Sequence, residues 1–383
     1  MHPQSQKTDI VNLPTTSPAF QLNRMVMKKL QKALEADPEV DLASKIPSSY
    51  AVRLAERKSE GCHEKDFPSK CPTIDVSLFP NDVRHLLDGN TLATVLFPLS
   101  ESVQGLIGSD HNHNESSLAY SVRKLVEKSE VVWKPEIGKH KIVLKCSPSI
   151  ALKIIRNMDN FTEYTTLQYL EEHKPTIPAP RPLGLIRIGR CFLVFMSLVH
   201  GTTLEAVWPK LDDSLKRFIQ EQLNNIFIEL RSLTRPSNMP LGGVAGEGCQ
   251  DLRRHVRRTT EPIWTTEDFD NWQFSNPHFG SPIYIKTLRS LCPPLLQKHV
   301  LSHNDLRPDN IMVKLEGGQY RVTGIIDWKY SGFYPEYYES TKVMNGLSTN
   351  EDSDWYLFIP ECISPLRNTE KWLLDALWWK HVE

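Results

Sequence analysis

From Val131 the pattern of apolar and polar positions becomes that of short strands. Val131–Trp133, Lys141–Cys146 and Ile150–Ile155 are rich in Ile and Val and are separated by the polar breaks KPEIGKH and SPS. The next segment, Phe161 to His173, sets Tyr164, Leu167 and Leu170 on one face of a helix. PTIPAPRP is a proline-rich connector, and Arg190–Val199, with CFLVFMSLV at its centre, reads as a buried strand. His200–Thr202 makes a turn, Leu204 to Ser232 reads as helix, and residues 236–290 are mixed. Two short apolar strands follow, Ile311–Leu315 and Val322–Ile326, before a C-terminal part of helix and loop rich in Trp and Tyr.

Ahead of Val131 the signals are sparser. Residues 21–36 carry Leu22, Met25, Val26, Leu30 and Leu34 at helical spacing, and Pro38 ends that helix. Residues 56–75 read as a polar loop, and GSDHNHNESS at 108–117 is the best boundary, with Ser116 to Lys128 leading into the next unit. A strand-rich piece followed by a helix-rich piece predicts an α+β, two-lobed enzyme. Its parts are expected at 1–125 (an extension of unknown role), 126–200 (a β-rich small lobe) and 201–383 (a larger helical lobe).

Composition narrows the partners. Lys plus Arg number 45 against 46 Asp plus Glu, and the net charge of -1 supplies no basic field for nucleic acid. No stretch approaches the length of a membrane helix, and the first twenty residues hold no apolar signal core. The 7 cysteines are scattered and odd in number, which suits reduced thiols and a cytoplasmic protein.

The chemistry concentrates in Leu301–Tyr338, LSHNDLRPDNIMVKLEGGQYRVTGIIDWKYSGFYPEYY. His303-x-Asp305 is followed by Asn310, then by a strand and a turn, then by Asp327 directly after the apolar run Gly324–Ile326. Phosphoryl transfer needs one carboxylate to orient a hydroxyl and take its proton, and an amide oxygen and a second carboxylate to hold Mg²⁺ on the phosphates. A short loop bearing Asp and Asn, joined by a hairpin to a second Asp, brings such groups to one point.

With its HND…N and IDW elements, this segment resembles the catalytic and metal-binding loops of the aminoglycoside phosphotransferase family, a branch of the protein-kinase-like fold. The GIIDWKYSGFYPEYYE run is especially similar to phosphotransferase-family proteins of fungi. The resemblance spans Val131 to the C-terminus. It implies a small lobe that binds ATP (or GTP), with Asp305 as catalytic base, Asn310 and Asp327 as Mg²⁺ ligands and His303 packing the loop. Arg307 stands where protein kinases carry a phosphate-contacting lysine. The acceptor implied is a small-molecule hydroxyl; the sequence leaves its identity and the oligomeric state open.

On the nucleotide side, Ile150-Ala-Leu-Lys153 resembles the VAIK strand of protein kinases, with Glu163 opening the next helix as the lysine's partner. Two other readings remain open: Asn160-x-x-Glu163 fits a capping box, and Lys145 could be the phosphate lysine instead. The adenine is expected against the backbone after Met196, where His200 is as easily a turn residue. A glycine-rich phosphate loop is absent, so the turn Pro135–Lys139 would cover the phosphates, and Tyr334-Pro335-Glu336 lies too near Asp327 to close an activation segment. Both features disfavour a protein kinase. A non-catalytic nucleotide-binding scaffold is the remaining alternative, against which Lys153, Asp305, Asn310 and Asp327 are all present.

Other residues carry weaker expectations. Cys62, His63 and Cys71 fit no zinc spacing, and His111 and His113 lie in a polar segment. Trp372, Trp378 and Trp379 read as core packing. Glu247, Glu267 and Asp268 are candidates to face a cationic acceptor, or simply solvated acids.

Overall fold

The computed structural model of the chain describes residues 18–46, 50, 53–54, 82–87, 91–108, 115–135, 140–251, 257–275, 281–291, 298–348 and 351–380. They belong to two compact units, one ending at Cys71 and one beginning at Pro72. In the first unit, helix α1 (Pro18–Ala36) buries Leu22 and Val26, one turn apart. Met25 and Leu34 are exposed, so the buried stripe is narrower than the apolar spacing suggested. The Tyr50 hydroxyl donates to Asn23 Oδ1 at 2.9 Å.

The second unit opens with a six-stranded antiparallel sheet made from β1 (Ala93–Phe97), β2 (Glu130–Trp133), β3 (Lys141–Lys145), β4 (Ile150–Arg156), β5 (Pro182–Ile188) and β6 (Cys191–Ser197). Their order is β1-β5-β6-β4-β3-β2. Side chains alternate across a strand, and β4 obeys this strictly. Leu152 and Ile154 join a buried cluster with helices α2 (Glu101–Ile107) and α3 (Glu115–Lys128), through Val103, Val122 and Val126. Ala151 and Ile155 point to the opposite face, where Tyr164 of helix α4 (Thr162–His173) packs. Lys153 shares the parity of Ala151 and Ile155, and α4 is the helix that carries Glu163.

Two strands of this sheet lie where the sequence reading placed none. β1, α2 and most of α3 precede residue 126, and these elements complete the sheet and its core. β5 begins inside the proline-rich connector, because its first residue, Pro182, pairs at the sheet register with Met196.

The chain leaves the sheet after Ser197 and reaches the larger part through Gly201. This residue has φ +131, and a Cβ there would lie 2.3 Å from the Val313 carbonyl oxygen, so only glycine fits. Thr202–Thr203 then pairs with Met312–Val313. The run expected as one helix from Leu204 to Ser232 is broken at Trp208-Pro209-Lys210, a 3₁₀ turn, before helix α5 (Asp213–Leu230). Asp212 caps α5 by accepting from Leu215 N at 2.9 Å. Ile219, Leu223, Phe227 and Leu230 of α5 are fully buried in one core with Leu301, Leu306, Ile311, Ile325 and Trp328. That core underlies two antiparallel pairs: Ile311–Glu316 with Gln319–Ile325, and His299–Ser302 with Gly332–Pro335. The result is a kinase-like α+β fold, a β-rich lobe joined by a short crossing to a larger, helix-rich lobe. Among the described residues, no helix is long and apolar enough to cross a membrane.

Candidate active site

The loop between His299–Ser302 and Ile311–Glu316 carries Asp305, and buried groups fix its path. The His303 ring is fully buried; its Nδ1 accepts from Asp305 N at 3.2 Å and its Nε2 donates to the Ile326 carbonyl at 3.0 Å. That pattern defines a neutral imidazole, and burial pushes its pKa down. The ring also packs edge-on against Trp328, with centroids 4.7 Å apart. Asn304 adopts φ +65, a left-handed conformation that Asn tolerates, and its Nδ2 donates to the Tyr330 carbonyl at 2.9 Å. The backbone N–H groups of His303 and Asn304 both donate to the Glu339 carboxylate, at 2.6 and 3.0 Å.

Asn310 ties this loop to the next. Its Nδ2 donates to the Asp305 carbonyl at 2.8 Å, and its own carbonyl accepts from Ile326 N at 2.9 Å. One residue further on, Asp327 also takes a left-handed backbone, φ +66. The turn continues with the Trp328 indole donating to the Ile325 carbonyl at 2.7 Å.

Two ammonium groups converge on Asp327. The Lys153 ammonium lies 2.7 Å from both Glu163 oxygens and 2.6 Å from Asp327 Oδ1. The Lys329 ammonium contacts Asp327 Oδ2 and lies 3.0 Å from Asp305 Oδ2. Burial works against the charge on Asp327, but the ammonium groups of Lys153, Lys329 and Lys141 outweigh it and hold the carboxyl well below its ordinary range. By the same balance, burial would lower Lys153 and Lys329, yet the facing carboxylates raise both.

The two open readings of the nucleotide side now separate. Glu163 turns to Lys153 rather than back to cap its helix, and the Thr162 N–H is met by Asn160 Oδ1 at 3.2 Å. Lys145 is a surface residue, 3.6 Å from Glu130. Met196 is buried in the small-lobe cluster, and the backbone just beyond it is pinned by Leu198 N donating to the Ser149 carbonyl at 2.8 Å. Arg307 is exposed and pairs with Asp309 at 2.6 Å.

A cavity of about 580 Å³ opens beside Asp305 and Arg307, walled by Glu205, Trp208, Trp355 and Tyr356. Glu247, Glu267 and Asp268 take no part in it. Glu247 bonds the Thr165 hydroxyl of α4, and Asp268 bonds Thr265 at the N-terminus of its own helix. The aromatic core lies at Trp208, Trp355 and Phe358, with ring centroids 5.3 and 5.6 Å apart. Trp372 is half-buried, and the side chains of Trp378 and Trp379 lie outside the described residues. Also outside them are Cys62, His63, Cys71, His111, His113 and most of the Pro135–Lys139 turn.

Sequence reasoning missed Lys329 and Glu339. Each sits inside the motif-bearing stretch, so proximity to Asp327 and to the YPEYYE run was the available signal.

Among the described residues, no group of three or more His, Cys, Asp or Glu is placed to hold a metal ion by itself. Asn310 and Asp327 offer one amide and one carboxylate oxygen. That hard-oxygen set fits Mg²⁺, which proteins commonly bind through one or two carboxylates with substrate phosphates completing the shell.

In comparisons with known proteins, residues 153–359 match the family described as the phosphotransferase enzyme family (APH). No curated protein matches the sequence. Similar solved structures include a thermostable mutant of aminoglycoside phosphotransferase APH(4)-Ia in ternary complex with AMP-PNP and hygromycin B, at 14% identity and TM-score 0.44, covering 73% of this chain and 88% of that one. The streptomycin-ATP-APH(2")-IIa ternary complex shares 12% identity with TM-score 0.47, covering 70% and 89%. APH(3'')-Id from Streptomyces rimosus shares 16% with TM-score 0.37, covering 66% and 93%.

Proposed function

This chain belongs to the phosphotransferase enzyme family, and we propose that it moves the γ-phosphate of ATP, or of GTP, to a hydroxyl group of a small molecule. The observation that carries this reading is the meeting of Lys153 from the small lobe with Asp327 from the large one, next to a cavity that Asp305 lines.

In this reading the Lys153 ammonium holds the α- and β-phosphates, and Glu163 holds the ammonium. Asn310 and Asp327 hold Mg²⁺, which supplies charge neutralisation at the phosphates. Asp305 orients the acceptor hydroxyl. A bond forms from the hydroxyl oxygen to the γ-phosphorus as the bond from that phosphorus to the β–γ bridging oxygen breaks. The hydroxyl proton passes to Asp305, and the nucleoside diphosphate leaves. His303 and Asn310 are positioning residues: one bonds the Asp305 amide, the other its carbonyl.

The cavity volume suits an acceptor of small-molecule size. Its aromatic walls favour stacking on a ring, and Glu205 and Glu351, beside the Arg307–Asp309 pair, favour a substrate that is not anionic. The test is a screen of ATP consumption against a library of hydroxyl compounds, with Asp305→Asn run in parallel. The expected result is consumption that depends on both a library member and Asp305. Nucleotide binding without transfer to any acceptor class, unchanged in Asp305→Asn, would move the reading to a nucleotide-binding scaffold.

A further inference from the structure

We infer that Lys329 is the side chain that meets the transferring phosphoryl group, the part that the family resemblance offered to Arg307. The inference rests on the phosphotransferase reading above and assigns a residue which that reading leaves without a role.

Position carries the argument. The Lys329 ammonium touches Asp305 Oδ2 on one side and Asp327 Oδ2 on the other. In the proposed reaction one of these carboxylates faces the incoming hydroxyl and the other faces the phosphates. A group bonded to both stands where the phosphoryl must pass. Arg307 pairs with Asp309 on the cavity wall and, among the described contacts, makes no such bridge.

Access and anchoring agree with this placement. The Lys329 side chain is 29% exposed against 9% for Lys153, so it is the less enclosed of the two lysines. The backbone that carries it is fixed on both sides. Asp327 is held by its left-handed turn, and Ser331 N donates to the Trp328 carbonyl at 3.2 Å while its hydroxyl meets Thr166 at 2.9 Å.

Charge points the same way. Among the described contacts, Glu163, Asp305 and Asp327 would be left with Lys153 as their one bonded cation if Lys329 were removed. A polyphosphate would then approach a cluster one charge more negative than it is with Lys329 in place. An ammonium carries three donors, enough to keep one carboxylate bond and offer another to a phosphoryl oxygen, where charge spreads during transfer. Lys329 forms and breaks no covalent bond in this role.

A contact to the γ-phosphate separates triphosphate from diphosphate, and that can be measured before any acceptor is known. Calorimetry with excess Mg²⁺ would give the affinities of AMP-PNP and ADP for the wild type, Lys329→Met and Lys329→Arg, with melting curves to confirm folding. The expected result for Lys329→Met is loss of about tenfold or more in AMP-PNP affinity, the scale of one charge-assisted hydrogen bond, with ADP affinity within about twofold of wild type. Lys329→Arg should retain most of the preference for AMP-PNP. Equal weakening of both nucleotides in Lys329→Met would overturn the inference and leave a structural role. Tighter binding of both would also overturn it, marking the lysine as an obstacle to the metal. A wild type that binds neither nucleotide overturns the phosphotransferase reading itself.

Discussion

Lys153 and Asp327 stand 174 residues apart in the chain, yet 2.6 Å separates the Lys153 ammonium from Asp327 Oδ1. The contact joins the two lobes at one buried charge. Breaking such a cluster by removing one member leaves its partners uncompensated, whereas replacing a whole buried pair with apolar groups is often tolerated.

Lys153→Met is therefore expected to destabilise the protein by about 3 kcal/mol, because Glu163 is left buried without its cation. Lys153→Met combined with Glu163→Leu should recover a large part of that stability. Nucleotide affinity should fall in both proteins, since neither offers an ammonium to the phosphates. Denaturant unfolding and calorimetry together check this. Restored nucleotide binding in the double variant would remove Lys153 from the phosphate site.

The two aspartates should fail differently. Asp327→Asn removes a carboxylate proposed to hold Mg²⁺ and should weaken Mg²⁺-dependent ATP binding as well as turnover. Asp305→Asn should leave nucleotide affinity nearly intact while turnover falls by about 10²-fold or more, the scale of a general base. Both substitutions are close to isosteric. Calorimetry with and without Mg²⁺ distinguishes them, and equal loss of ATP affinity in both would refute the division of roles.

Much of this site could be read from the sequence because its residues are close along the chain. Asp305, Asn310 and Asp327 lie on one loop and one hairpin, and Lys153 and Glu163 on a strand and the helix after it. What stayed hidden depends on distant contacts. Lys329 looks like a solvated lysine until the Asp327 turn folds it back over Asp305. β1 is the edge strand of a sheet whose neighbour, β5, comes after α4 and starts at the last residue of the proline-rich connector. The acids proposed for the acceptor side were chosen by charge alone. Tertiary packing ties Glu247 to α4 and Asp268 to the start of its own helix, and brings Glu205, from beside the broken helix at Pro209, to the cavity instead.

Glu339 offers a pH test of the loop that carries the proposed base. Its side chain is fully buried and accepts from the amides of His303 and Asn304, the two residues before Asp305. Burial pushes its pKa up to about 7, with the Asp305 charge adding to the shift, while Arg231 and the two amide bonds oppose it. A carboxyl whose folded pKa exceeds its unfolded value of 4.5 binds its proton more tightly when folded. Its stabilising contribution is complete below pH 4.5 and is lost as pH rises through about 7, a loss of roughly 3 kcal/mol at 1.36 kcal/mol per pH unit. Glu339→Gln keeps the shape and one acceptor oxygen but cannot ionise. The variant should match wild type near pH 5 and show a flatter decline toward pH 8. Denaturant unfolding of both proteins at these two pH values measures the difference directly. Parallel declines would assign the pH dependence to other groups and leave Glu339 only its hydrogen bonds to the loop.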